Sequence, residues 1–417
     1  MKKIRRVLSL LIVAAMLSAI AGCQKEVTSE DLMTDVAETD ASAVYLDDKF
    51  CSHYSDAAFA MLNNEYKTDG PNIVISPLAT FYNLSLLANG ASGNTKSQMT
   101  QVVCNKVFDT DTLNTYMHSI SDKMVNTDTT KFYFKNALWF NSDKNSTPSD
   151  EFLSIAKSYY DASAFKDSFS GGVLDNMNNW ASNSTDMYTE HIVTEIPKEA
   201  PLYLTSIATI DADWESPISP QNVLDGKFTT SQAEEQDVRM MTSYETIYIE
   251  NTEIHGFIKK YAGENYAFLA LIPTNENVPI SRFVQLFSDG GYYFDYVCKN
   301  IQYRTVDASI PKFSFENKSS MKKTLEDLDS EEMFSAESSG LDKIGTCDGK
   351  MYLGDLSVST GITVTEKGTS RGTSANIGNT DIGTNVIPVS LDRPFIFAVI
   401  DAKRYIPLIL GVVNSVE

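Results

Sequence analysis

The chain has 417 residues, 42% of them hydrophobic and 21% charged, with a formal net charge of −21 at pH 7. That length supports a large buried core, and so acidic a balance argues against nucleic acid or anionic lipid as the main partner. The cysteines beyond residue 23 (Cys51, Cys104, Cys298 and Cys347) lack metal-ligand or redox spacing, so buried free thiols are expected for most, with disulfides as the alternative.

The chain opens with a basic stretch, "MKKIRR", followed by the apolar run "VLSLLIVAAMLSAI". That run is short for a membrane span, which needs about 20 residues, and it reads as a signal peptide over 1–22. The ending "IAGC" resembles a bacterial lipobox, in which Cys23 is lipidated and becomes the mature N-terminus; the alternative is an ordinary secretory signal. Cleavage there removes four basic residues and leaves a charge of −25. Lipidation would tether the protein to the outer face of the cell envelope without spanning it. Residues 23–48 are then the lipidated Cys and an acidic, solvated spacer.

Residues 49–417 read as one domain without a second linker or repeat. Helical patterns occur in "YSDAAFAMLNNEY", in "PLATFYNLSLLANG" with Pro77 in its first turn, in "NTKSQMTQVV", in "SDEFLSIAKSYYDA" and in "SSMKKTLEDLD". Strand patterns occur in "KFYFKNALWF", "LYLTSIATIDADW", "TIYIEN", "YAFLALIP", "DASIPKFSFE", "GITVTEK", "FIFAVID" and "PLILGVV". The strands cluster instead of alternating with helices, which favours an α+β fold.

A catalytic constellation is missing from the pattern. His53, His118, His191 and His255 fall in no zinc-protease spacing, and no GxSxG elbow offers a nucleophile. "GASGNTKS" (90–97) lacks a Gly directly before its Lys and reads as a turn between two helices, not a phosphate loop. The chain is therefore read as a non-enzyme with no cofactor and no metal site.

One stretch stands out. From Glu366 to Asn385, thirteen of twenty residues are Gly, Ser, Thr or Asn, none is aromatic, and strand patterns flank the stretch on both sides. A loop of that length inside a domain is usually functional or disordered.

Several segments, in order, resemble the serpin family. "NIVISPLATFYNLSLLANGASGNTKSQM" (72–99) resembles its early strand and helix, and "FYFKNALWF" (132–140) a sheet strand. "MNNWASNST" (177–185) places Trp180 on the family tryptophan, and "LYLTSIATIDADWESP" (202–217) does the same for Trp214. "DASIPKFSFENKSSMKKTLEDL" (307–328), "TEKGTS" (365–370), and "DRPFIFAVID" with "PLILGVV" complete the likeness over about residues 50–417. The resemblance implies three β-sheets, eight or nine helices and an exposed reactive-centre loop over about 366–387. It also implies a monomeric suicide inhibitor whose partner is a target serine protease, held in a covalent complex after loop cleavage and strand insertion. The rival reading is a non-inhibitory member acting as a binding module.

On this resemblance the hinge is Glu366, Lys367, Gly368, Thr369, Ser370, Arg371, Gly372 and Thr373. The reactive bond is Ile382–Gly383, with Asn379, Thr380 and Asp381 as near alternatives, which suits elastase-like or subtilisin-like pockets. Ser76, Trp180 and Ser206 fall in the sheet-opening region; the family's asparagine is replaced by Ser206, its glycine by Ala212, and its histidine by Val358 or Ser359. In an inserted strand the core-facing set is Thr369, Arg371, Thr373, Ala375 and Ile377, in which Arg371 is the misfit. No proline interrupts the segment that has to insert.

Overall fold

Residues 25–124, 126–369 and 386–416 are described by a computed structural model. Among them are nine α-helices: α1 (Asp48–Glu65), α2 (Pro77–Gly90), α3 (Gly93–Cys104), α4 (Thr110–Ser121), α5 (Asp150–Tyr160), α6 (Val173–Ser184), α7 (Ile280–Ser288), α8 (Tyr293–Lys299) and α9 (Lys322–Asp327). Several begin where the sequence supplies an acceptor for a free N–H. Asp47 accepts from Phe50, Ser76 from Ala79, Asp109 from Thr112 and Ser149 from Phe152. Helix α2 is apolar nearly all round and is buried at every residue but Asn89, so it runs through the middle of the domain.

The first strands are β1 (Glu30–Asp31), β2 (Ile73–Ile75), β3 (Thr130–Asn141), β4 (Thr147–Pro148), β5 (Ser163–Asp167) and β6 (Leu202–Asp213). There follow β7 (Val223–Thr229), β8 (Glu235–Glu250), β9 (Ile254–Lys260), β10 (Tyr266–Pro273), β11 (Ile301–Pro311) and β12 (Phe313–Ser320). The last are β13 (Gly345–Thr346), β14 (Leu353–Val364), β15 (Gly368–Thr369), β16 (Ile387–Ser390), β17 (Phe395–Asp401) and β18 (Pro407–Val413). They form the expected three sheets. A seven-stranded sheet runs β1-β5-β3-β6-β15-β14-β12, a nine-stranded sheet carries β16 through β2 with β7 beside β8, and β13 pairs with β4. Strands β10 and β18 are buried at every residue because elements cover both faces, which is why they read as unbroken apolar runs.

One core fills the space between the two large sheets and the helices around α2. A second, smaller cluster lies on the other face of the seven-stranded sheet, beneath α6. It joins Trp139, Val173, Met177, Trp180, Tyr203 and Ile207.

Most residues of the acidic N-terminal stretch are exposed, and from Lys25 onward the stretch is laid along the domain: β1 extends the large sheet beside β5, and the Leu32 N–H donates to Ala164 O at 2.9 Å. Thr28 N donates to Asn176 Oδ1 at 3.0 Å, Ser29 Oγ to Asp167 at 2.6 Å, and Leu32, Met33 and Val36 cover core residues. Scattered apolar side chains and hydroxyls suffice to dock a chain whose composition looks unfoldable on its own. "DASIPKFSFE" is two strands, broken at Lys312, whose N–H turns to Arg239 O. The helix expected from Ser319 starts at Lys322, because Ser319 and Ser320 still pair with Val358 and Ser357.

Candidate functional site at the seam of the large sheet

Strand β14 ends at Val364, and the chain reverses at once. Thr365 closes the turn with both its N–H and its hydroxyl on Gly368 O, at 2.8 and 3.1 Å. Gly368 and Thr369 then return as β15, wedged between β6 and β14 and antiparallel to both. Gly368 pairs with Asp213, and Thr369 with Ala212 on one side and Val364 on the other. A Cβ on Gly368 would sit 1.9 Å from Ala212 O, so only glycine fits. Thr369 is fully buried, and its hydroxyl lies 2.5 Å from the buried Tyr261 hydroxyl.

The turn is fastened from all sides. Lys312 bridges Glu366 at 2.6 Å and Lys367 bridges Asp213 at 3.0 Å. Burial acts to raise the Glu366 carboxyl, but hydrogen bonding and the charge of Lys312 outweigh it and hold the group below its usual range. Trp214 donates its indole N–H to Thr365 O at 2.9 Å and its backbone N–H to Lys367 O at 2.8 Å, and Ile218 N reaches Glu366 O at 2.7 Å. The Trp214 ring stacks on Tyr261 at 4.6 Å, and Lys259 Nζ stands 5.3 Å from its centre. Lys259 is itself buried and paired with Glu245 at 2.6 Å. Both ions of that pair are out of water, so removing either one leaves an uncompensated charge.

Below β15 the sheet is closed. Strands β6 and β14 pair directly and in parallel, from Thr209 with Gly361 down to Leu202 with Leu353. The faces of this seam differ. On the core face a polar chain begins at Ser76, whose hydroxyl donates to Leu408 O at 2.9 Å and accepts from Ala79 N at 3.1 Å. Asn83 then bridges Ala79 O and Asn136 Oδ1 at 2.7 and 2.9 Å, and Ser206 Oγ donates to the same Asn136 oxygen at 2.5 Å. Across the seam Ser206 faces Val358, which is buried and offers no partner. On the opposite face Tyr203 OH meets Ser357 Oγ at 2.5 Å, and Trp180 packs edge-on to Trp139 at 6.3 Å.

The structure thus gathers Glu366, Lys367, Gly368 and Thr369 at the top of the seam and links Ser76 to Ser206 along its core face. Trp180 sits apart, on α6 over the far face of the sheet. Cys23, Ser370, Arg371, Gly372, Thr373, Asn379, Thr380, Asp381, Ile382 and Gly383 lie outside the described residues. Sequence reading missed Asn136, Asn83, Tyr261, Lys312 and the Tyr203–Ser357 pair. Asn136 did carry a signal, as a lone amide inside the apolar strand "FYFKNALWF".

Comparisons fit this geometry. The chain is 32% identical to the native-state crystal structure of the thermophilic serpin tengpin, with a TM-score of 0.87 over 93% of this chain and 100% of that one. Against tengpin in the latent state the TM-score is 0.77 at 29% identity, covering 90% of this chain and 100% of the other. A serpin-like protein of Methanosarcina acetivorans is 24% identical over 377 residues, covering 84% of this chain and 83% of that protein. Human glia-derived nexin is 24% identical over 395 residues, covering 88% and 95% of the two chains. The family model described as serpin (serine protease inhibitor) matches residues 52–416, and with it the chain belongs to the serpin family.

Proposed function

We propose that this protein is a suicide inhibitor of external serine proteases of the elastase-like or subtilisin-like kind, tethered through a lipid on Cys23 to the outer face of a bacterial envelope. The observation that carries this reading is the hinge. Gly368 and Thr369 already stand as an antiparallel strand between β6 and β14, and these two strands, paired directly and in parallel below them, run in the directions a longer strand in that register needs once they part. A protease that cuts the loop near Ile382 frees the segment to extend β15 down the seam. Added residues then bond alternately to β6 and to β14, so two ladders replace the single one that joined those strands before they parted. The chain acts as bait and spring and turns over no substrate. Family membership supports inhibition in general, and the aliphatic Ile382 supports the choice of protease class.

A second reading, a serpin that presents the loop without trapping, is favoured by Arg371. Extending the register of Thr369 by two residues brings position 371 to Ile210 and Ile362, where no carboxylate awaits it. Incubating the mature domain with elastase, subtilisin, chymotrypsin and trypsin, followed by denaturing gels, separates the two. Inhibition yields a covalent band at the summed mass and a released peptide starting at Gly383 or a neighbour. Clean cleavage with no such band, and no gain in thermal stability after the cut, defeats the proposal.

A further inference from the structure

Extending β15 requires β6 and β14 to part below Thr209. We propose that Tyr203 and Ser357 form a latch across this seam that limits how fast it opens, a positioning role that rests on the inhibitory reading above. Two side-chain hydrogen bonds run directly from β6 to β14 among the described residues. One, from Thr209 Oγ1 to Gly361 O at 3.2 Å, lies at the upper end beside the hinge. The other joins the Tyr203 and Ser357 hydroxyls at 2.5 Å near the lower end, diagonal to the Thr205–Ser357 backbone pair.

The two sides of the latch belong to different bodies. The Tyr203 ring is packed with Trp139 of β3, Ile207 of β6 and Val173, Met177 and Trp180 of α6, so its hydroxyl is aimed by a rigid cluster. Ser357 stands on β14, whose other neighbour in the sheet is β12. The core-face network works differently. Ser206, Asn136 and Asn83 bond among β6, β3 and α2, none of these bonds reaches β14, and Val358 opposite Ser206 is apolar. Opening the sheet leaves that network intact but breaks the Tyr203–Ser357 bond. Tyr203 is buried and Ser357 half-buried, so the Tyr203 hydroxyl in particular loses its partner before an incoming strand can supply another.

The test measures opening without a protease. The mature domain is incubated with a synthetic peptide carrying residues 369–381, and the annealed complex is followed with time on native gels. Tyr203→Phe and Ser357→Ala should each anneal about 3- to 10-fold faster than the parent. The double variant should be no faster than the faster single, because both changes remove the same bond. Ser206→Ala should lower the denaturant midpoint yet anneal within about twofold of the parent, since its bond does not cross the seam. The latch is overturned if peptide anneals to all variants at the parental rate, or if Ser206→Ala accelerates it as much as Tyr203→Phe. Failure of every variant and the parent to anneal would instead remove the insertion reading, and the latch with it.

Discussion

Replacing Thr369 with arginine should turn the protein from a trap into a substrate. Thr369 is the first core-facing residue of the strand that must grow, has no exposed surface, and touches the buried Tyr261 hydroxyl at 2.5 Å. An arginine there can bury its guanidinium among Ala212, Val364 and Tyr261, where no carboxylate bonds it, at a cost of several kcal/mol. The alternative is to pull the hinge out, which forfeits the β15 pairing and orphans Tyr261, itself worth about 1–3 kcal/mol. Because Thr369 already stands in the sheet, the rate falls when arginine expels the hinge and insertion has to put it back, and about 3 kcal/mol on that step slows it by roughly 100-fold. On the proposed mechanism trapping is a race between insertion and hydrolysis of the acyl-enzyme, so that loss would send most turnovers to hydrolysis. The assay is the molar ratio of protein to protease needed to abolish proteolysis, together with the covalent band. Thr369→Val, which removes only the hydroxyl, should keep most trapping. If Thr369→Arg traps within about twofold of the parent, insertion does not run through the Gly368–Thr369 register and the reasoning fails.

Arg371→Ala should act in the opposite direction and raise the fraction of protease trapped, and a fall in trapping would show that the arginine finds a partner after insertion. Asp56 on α1 is raised to about 6, first by burial and further by Asp295, although it accepts a backbone hydrogen bond from Tyr292. A carboxyl whose folded pKa is raised stabilises the fold when protonated; that stability is complete below its ordinary 3.8 and is lost as pH rises through about 6. Asp56→Asn should therefore be more stable than the parent above pH 6, on the order of 1 kcal/mol after allowing for its partial exposure, with a flatter profile between. Chemical denaturation at several pH values checks this, and parallel profiles would contradict it. Deleting residues 24–46 removes β1 and the bonds to Asn176, Asp167 and Ala164, so the thermal midpoint should drop by roughly 5 °C; an unchanged midpoint would mean the segment only rests on the surface.

Legibility followed the range of the interactions. Helix α2 could be read because Ser76 and Pro77 cap it locally, and β10, β17 and β18 because their apolar runs are long. Strand β16 escaped notice because it has four residues, one of them Pro388, and exists only by pairing with Val306–Ser309 some eighty residues earlier in the chain. Strand β15 is shorter still, and nothing in "EKGTS" says that two of its residues are already inside a sheet. In the site, Gly368 and Trp214 carry their chemistry in their residue type. Asn136 and Tyr261 do not, since their importance comes from Ser206 and Thr369, which the fold delivers from far along the chain. The docking of the N-terminal stretch was not legible for the same reason, because its partners Asn176 and Asp167 lie well over a hundred residues away.

For the proposed insertion, the closed seam also contains terms that favour and oppose movement of the hinge. On the proposed mechanism, an inserted strand that carried the β15 register onward would bring position 371 between Ile210 and Ile362, 373 between Ala208 and Thr360, and 375 between Ser206 and Val358. The first of these opposes insertion, because it asks two isoleucines to receive a guanidinium. The second favours it: Thr360 Oγ1 is buried without a hydrogen-bond partner among the described residues, and a threonine at 373 brings a hydroxyl to it. The third is neutral, an alanine beside a serine whose bond is already satisfied by Asn136. One unfavourable side chain near the top is thus set against a full ladder of backbone bonds and one unsatisfied hydroxyl below it. That arrangement slows the first steps of insertion more than it weakens the final state, so Arg371 should govern how fast the trap closes while the inserted form, once reached, stays the stable one.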